Sequence, residues 1–203
     1  LRSAADAERT RIRGPEEIIG DYARLGLGGT CFSLTYFLWT VLLNEGYQSA
    51  PVMADMRWGE NVHCALTVRI QGRDYLVDPG YLLHIPMELS PEKPCVYRSI
   101  HSGVELVFRE DGTVADLYTF DCRRKSWRYR FRRSPVSAEV FYRHWINSFR
   151  WKTMNSLCLT AIRGGRRVYL HRNFLRESDF SGSRDTTVGG EYHGTVERIF
   201  GIP

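Results

Sequence analysis

The stretch Asn61-Val62-His63-Cys64-Ala65-Leu66-Thr67-Val68-Arg69-Ile70-Gln71-Gly72-Arg73-Asp74-Tyr75-Leu76-Val77-Asp78-Pro79-Gly80-Tyr81 decides how this chain folds. Val62, Cys64, Leu66, Val68 and Ile70 alternate with His63, Ala65, Thr67 and Arg69, the period-two signature of a β-strand. Gln71-Gly72 is a turn signal, and residues 73 to 78 resume as a strand. A two-residue turn there sets Ala65 opposite Asp78 and His63 opposite Gly80. His63 and Asp78 then share a face as diagonal neighbours. A three-residue loop would put them on opposite faces.

Upstream stands Gly28-Gly29-Thr30-Cys31-Phe32. Cysteine, then histidine, then aspartate is the order of a thiol nucleophile, its base and the group that orients the base. Cys31 to Glu45 is apolar nearly all round and predicts a buried helix that Gly46 ends. Cys31 then lies at the helix N-terminus, where unpaired N–H groups and the dipole favour a thiolate. Gly28 and Gly29 allow a tight turn and close approach to a ligand, and the Cys31 N–H is a candidate oxyanion donor. Taken singly, each residue has an ordinary reading: a core cysteine, a barrel histidine, an aspartate opening a turn. Taken together, their order and register favour catalysis.

The chain has 203 residues, 43% hydrophobic and 13% aromatic, enough for a real core. No apolar run approaches the roughly 18 residues of a membrane span, and no signal peptide is visible. Five scattered cysteines, at 31, 64, 95, 122 and 158, argue against a disulfide framework and for a reduced, cytoplasmic compartment. There is no Cys-x-x-Cys pair, and the histidines at 84, 101, 144, 171 and 193 show no metal-ligand spacing, so no metal site is expected.

The remaining pattern predicts a helix over 16–25 after Pro15, a strand over 48–57, a loop over 81–94, and strands near 95–100, 104–109, 113–121 and 126–132. A helix follows Ser137, then strands near 156–162 and 166–171 and a last helix near 191–200. In 126–132, Trp127, Tyr129 and Phe131 alternate with Arg128, Arg130 and Arg132. The aromatics are expected to face the core and the arginines solvent, which disfavours a nucleic-acid surface. Some of these arginines could instead meet the phosphates of an acyl carrier such as coenzyme A. The net charge of +5 comes from arginine, since the only lysines are Lys93, Lys125 and Lys152. The expected class is α+β, with a central antiparallel β-barrel and helices at its ends.

The motifs around Cys31, His63 and Val77-Asp78-Pro79-Gly80-Tyr81 resemble the arylamine N-acetyltransferase family, within the transglutaminase-like Cys-His-Asp superfamily. Leu42-Leu43-Asn44-Glu45-Gly46-Tyr47, the region Phe141 to Leu159 and the ending Val196-Glu197-Arg198-Ile199-Phe200-Gly201-Ile202 look like later parts of the same family. The sequence departs from its usual pattern at Leu27, where the family has Arg, and at Ser33-Leu34-Thr35, where it has Glu and Asn. The resemblance implies a short helical domain with the nucleophile helix (1–46), a β-barrel domain (47–134) and a C-terminal α/β lid over the site (135–203). It implies ping-pong transfer of an acyl group, most simply acetyl, from acyl-CoA as co-substrate through Cys31 to an arylamine or hydrazine. No tightly bound cofactor is implied. His63 would move protons and Asp78 would hold the imidazole, with Gly28, Gly29, Phe32, Gly80 and Tyr81 as candidate substrate contacts. The rival readings are a transglutaminase-like amide hydrolase using the same triad, and a binding module that keeps the fold without catalysis.

Overall fold

The computed structural model describes residues 12–99, 101–152 and 156–203. The first part of the expected 1–46 domain, residues 1–11, and the end of the expected 95–100 strand lie outside them.

Helix α1 (Pro15–Leu25) carries Pro15 in its first turn, and the Glu17 carboxylate accepts from the Gly14 N–H at 2.9 Å. Helix α2 (Cys31–Asn44) is capped by Thr30, whose hydroxyl oxygen accepts from Ser33 N. It ends in a Schellman turn. Gly46 takes φ +79°, its N–H bonds to Leu43 O, and the Tyr47 N–H reaches back to Leu42 O. The helix is less buried than its composition suggests: only Phe32, Ser33 and Thr35 are buried, while Leu43 is 50% exposed. One face lies on the sheet and α1 packs against the helix, but Val41 and Leu43 toward its C-terminal end stay exposed.

Strands β1 (Gln48–Met56), β2 (Gly59–Ile70), β3 (Arg73–Val77), β4 (Met87–Glu88), β5 (Cys95–Arg98), β6 (Gly103–Arg109), β7 (Val114–Phe120) and β8 (Lys125–Arg132) form one antiparallel sheet. Its order is β4-β3-β2-β1-β8-β7-β6-β5, and the two edge strands approach each other, so the sheet nearly closes into a barrel. Val52, Ala65, Leu76, Leu106, Leu117, Tyr129 and Phe131 fill its interior. The short β4 falls within the segment expected to be a loop, where Met87 pairs with Leu76.

The β2–β3 hairpin has the expected register. Ile70 pairs with Arg73 and Leu66 with Val77. Gln71 and Gly72 both take positive φ, +50° and +78°, as a type I′ turn requires. β2 is buried on both faces. Ala65 points into the barrel, while Cys64 joins Phe32, Met53, Phe141 and Trp145 in a second cluster outside it. Helix α3 (Ala138–Ser148) supplies Phe141 and Trp145, so it packs with the nucleophile helix and the barrel wall.

In β8 the expected alternation breaks. Leu117 pairs with Tyr129 but Tyr118 with Trp127, so Arg128 is an extra residue at a β-bulge. The bulge reverses the faces. Trp127 turns out of the core and its indole N–H donates to Asp116 Oδ1 at 3.0 Å, while Arg128 becomes half-buried.

Strands β9 (Cys158–Arg163), β10 (Arg166–His171), β11 (Phe174–Asp179) and β12 (Gly182–Thr187) form a second antiparallel sheet. Val168, Leu170 and Leu175 pack there against Val196 and Phe200 of α4 (Tyr192–Phe200). The two sheets meet where Cys122 N donates to Phe180 O and Arg98 stacks over Phe120 and Phe180. No helix among the described residues is long and apolar enough to cross a membrane.

Candidate active site

Three elements converge at one end of the barrel. The hairpin register brings His63 of β2 against Asp78, just past β3, with Nε2 to Oδ2 at 2.7 Å. Asp78 is fully buried and His63 only 4% exposed. The carboxyl group is over-determined. The Tyr81 N–H donates to Oδ1 at 2.9 Å, and the Tyr129 hydroxyl donates to Oδ2 at 2.7 Å. A group held by three donors cannot swing, so it fixes the imidazole plane. Since Asp78 occupies Nε2, the ring's other nitrogen is the one left to face the thiol.

Cys31, in the first turn of α2, is partly exposed, and the His63 and Cys64 side chains both act on its thiol. The neighbouring Cys64 thiol is the strongest influence on it and favours ionisation. Burial opposes ionisation, and the adjacent His63 and its charge favour it again, leaving the Cys31 thiol at about 5. For His63, burial disfavours the cation, but the Asp78 charge and hydrogen bond, joined by Cys31, outweigh it and raise the ring to about 10. The pair therefore rests as thiolate and imidazolium near neutrality. Burial and the neighbouring Cys31 push Cys64 well above the ordinary thiol range, so it stays a donor.

Gly80 explains how the pieces fit. A side chain there would bring its Cβ within 2.7 Å of Cys31 Cβ and 3.3 Å of His63 Cε1. Only glycine lets the loop after Asp78 lie against the nucleophile. Tyr81 sits beside it, edge-on to both His63 and Tyr129. Gly29 is needed locally, since a Cβ would run into the Ser33 side chain. At Gly28 a Cβ would meet nothing, and its carbonyl accepts from Arg13 at 3.1 Å. Phe32 corrects an expectation: it is 1% exposed and stacked on Trp145, a core residue with no face for a substrate. Two residues outside the candidate set belong to the site, Tyr129 and Cys64. The alternation placed Tyr129 facing inward and Cys64 in the core, but nothing local in the sequence marked their contacts with Asp78 and Cys31.

No group of three or more His, Cys, Asp or Glu side chains among the described residues could hold a metal ion. A cavity of about 690 Å³ lined by Tyr47, Thr67, Arg69 and Arg133 contains none of the three central residues. The clefts that touch Gly80 and Tyr81 lie instead between the two sheets.

The fold and this site define a cysteine-dependent acyltransferase with a thiol, imidazole and carboxyl triad. The family model of N-acetyltransferases matches residues 19–203, and the chain belongs to the arylamine N-acetyltransferase family. The proansamycin X synthase of Amycolatopsis mediterranei is 24% identical over 192 residues, covering 86% of this chain and 72% of that protein. The arylamine N-acetyltransferase structure from Mycobacterium abscessus superposes with a TM-score of 0.81 at 18% identity, covering 95% of this chain and 73% of that one. The Mycobacterium marinum arylamine N-acetyltransferase in complex with CoA gives 0.79 at 17% identity, with 93% and 75% covered.

Proposed function

We propose that the chain transfers an acetyl group from acetyl-CoA to an aromatic amine or hydrazine, with Cys31 as nucleophile, His63 as proton carrier and Asp78 as the group that holds His63. The observation carrying this reading is the geometry of the site: a carboxyl fixed by three donors, one of them the imidazole, and a nucleophile that lies with the imidazole against Gly80. In the first half-reaction the Cys31 thiolate attacks the thioester carbonyl. The tetrahedral oxyanion collapses, the carbon–sulfur bond to CoA breaks, and His63 gives its proton to the departing thiolate. In the second, the amine nitrogen attacks the Cys31 thioester, neutral His63 takes its proton, and Cys31 leaves as thiolate. Atoms and protons balance over the cycle. The Cys31 N–H, at the helix start, serves as an oxyanion donor.

Membership of the family favours transfer over both the amide-hydrolase and the non-catalytic readings. Relatives named for arylamine acetylation, one of them in complex with CoA, support the choice of donor and acceptor. We read Gly80 and Tyr81 as the substrate-facing lip. We read residues 1–46, 47–134 and 135–203 as nucleophile, barrel and lid domains, with the packed lid starting at β9 because α3 belongs to the nucleophile side. A reduced, cytoplasmic setting suits a catalytic thiol. The test is steady-state kinetics with acetyl-CoA and an arylamine. Parallel double-reciprocal lines, with turnover lost in Cys31→Ser, are expected; intersecting lines or an active Cys31→Ser overturn the reading.

A further inference from the structure

Two clefts between the sheets share one lining of arginines. One, of about 270 Å³, runs from Gly80 and Tyr81 to Arg128, Arg167 and Arg176. The other, of about 160 Å³, continues past the same three arginines to Arg124. The near end is the nucleophile, because Gly80 lies against Cys31. The charges along this path do not cancel. Arg176 is paired with Asp185 at 2.6 Å and Arg124 with Asp121 at 3.6 Å, and Asp179 is taken by Arg166 at 3.1 Å. Among the described residues, Arg128 and Arg167 have no carboxylate partner. Arg128 donates to the Thr119 hydroxyl at 2.6 Å, and Arg167 lines the cleft together with Tyr81. Burial lowers Arg128, and the nearby Arg167, Arg124 and Arg176 charges lower it further.

Half-buried guanidiniums gathered without anions are unfavourable unless a ligand supplies the charge. Their planar forks match phosphate oxygens. We infer that Arg128 and Arg167, backed by Arg176, bind the diphosphate of the acyl donor, so that its thioester arm runs past Tyr81 and Gly80 to Cys31. The two uncompensated positive charges equal the two negative charges of a diphosphate diester. The β8 bulge is what turns Arg128 into this cleft. This inference rests on the acetyl-transfer reading and adds to it the residues that select the donor.

The test compares acetyl-CoA, S-acetyl-4′-phosphopantetheine and the phosphate-free S-acetyl-N-acetylcysteamine in wild type, Arg128→Gln, Arg167→Gln and Arg128→Lys. The ratio of kcat/KM for acetyl-CoA to that for the phosphate-free donor should fall about 10- to 100-fold in each Gln variant, the loss of one or two charge-assisted bonds. Arg128→Lys, which keeps the charge without the fork, should recover part of it. CoA binding by calorimetry should weaken by a similar factor and fade with added salt. A ratio unchanged from wild type, whether both donors slow together or neither does, overturns the assignment. Equal use of phosphopantetheine and CoA donors, with the same Arg128 dependence, overturns the match to a diphosphate. Should no donor acylate wild-type Cys31, the acetyl-transfer reading fails on its own. CoA binding that is lost in Arg128→Gln would still uphold the cleft, and its absence in wild type would refute it.

Discussion

Tyr129 and His63 meet on a single atom: the Tyr129 hydroxyl donates to the Asp78 oxygen that His63 Nε2 also contacts, each at 2.7 Å. The residue that steadies the carboxyl comes from β8, on the far side of β1 from the hairpin carrying the other two. The barrel is therefore part of the site and not just a support for it.

Tyr129→Phe keeps the ring and its packing but removes that donor. Asp78 keeps His63 and the Tyr81 N–H, so the imidazole is held less firmly. Arylamine turnover should fall about 3- to 30-fold, the worth of one hydrogen bond to a charged partner, with little change in KM. Activity equal to wild type would show that Tyr81 and the surrounding packing hold Asp78 alone.

The thiolate and imidazolium coexist where Cys31 has lost its proton and His63 has kept its own, between about 5 and about 10. Below that window the thiol is protonated. Above it, the imidazolium loses its proton and the thiolate loses its counter-charge. Alkylation by iodoacetamide should rise through a midpoint near 5 and stay high across neutrality. In His63→Gln the midpoint should move up, toward the 9.0 of an ordinary thiol. A wild-type midpoint near 8 or 9 would refute the resting ion pair.

Cys64 tests the largest single influence on Cys31. Cys64→Ala removes the thiol donor and should raise the Cys31 alkylation midpoint. Cys64→Ser, which retains a donor, should restore part of the shift. An unmoved midpoint in Cys64→Ala would mean that His63 alone sets the ionisation.

Gly80→Ala places a methyl group 2.7 Å from Cys31 Cβ. The loop must move away from the nucleophile, at a cost of about 1–3 kcal/mol of stability by overpacking. Acylation should fall by far more than stability does, which thermal unfolding and intact-mass acylation rates measured side by side would show. Wild-type acylation would show that the loop yields without disturbing the triad.

Much of this site could be read from the chain. The Gln71-Gly72 turn chemistry determined the hairpin register, and the register alone put His63 beside Asp78. Gly46 marked the end of α2 because only a residue at ease with positive φ completes the Schellman turn. What stayed hidden depended on partners distant in sequence. The bulge at Arg128 leaves no mark in the alternation of residues 126–132, yet it exchanges the faces of Trp127 and Arg128. The cause is visible only in space: Trp127, Arg130 and Arg109 all bond to buried Asp116. Strands β11 and β12 escaped because β12 is almost wholly exposed and polar, with no apolar face to give a period. The exposed far side of α2 escaped for the opposite reason. Apolar composition reports what a helix can bury, and only the fold decides which of its faces is covered.

Intact-mass spectrometry of the protein mixed with acetyl-CoA, followed by addition of an arylamine, tests the central claim most directly. The mass of one acetyl group should appear on Cys31, located by peptide mapping, and should leave when the amine is added, with acetylated amine formed in equal amount. A reduced and accessible Cys31 that stays unmodified, or an acetyl group on another residue that the amine removes just as well, would contradict it.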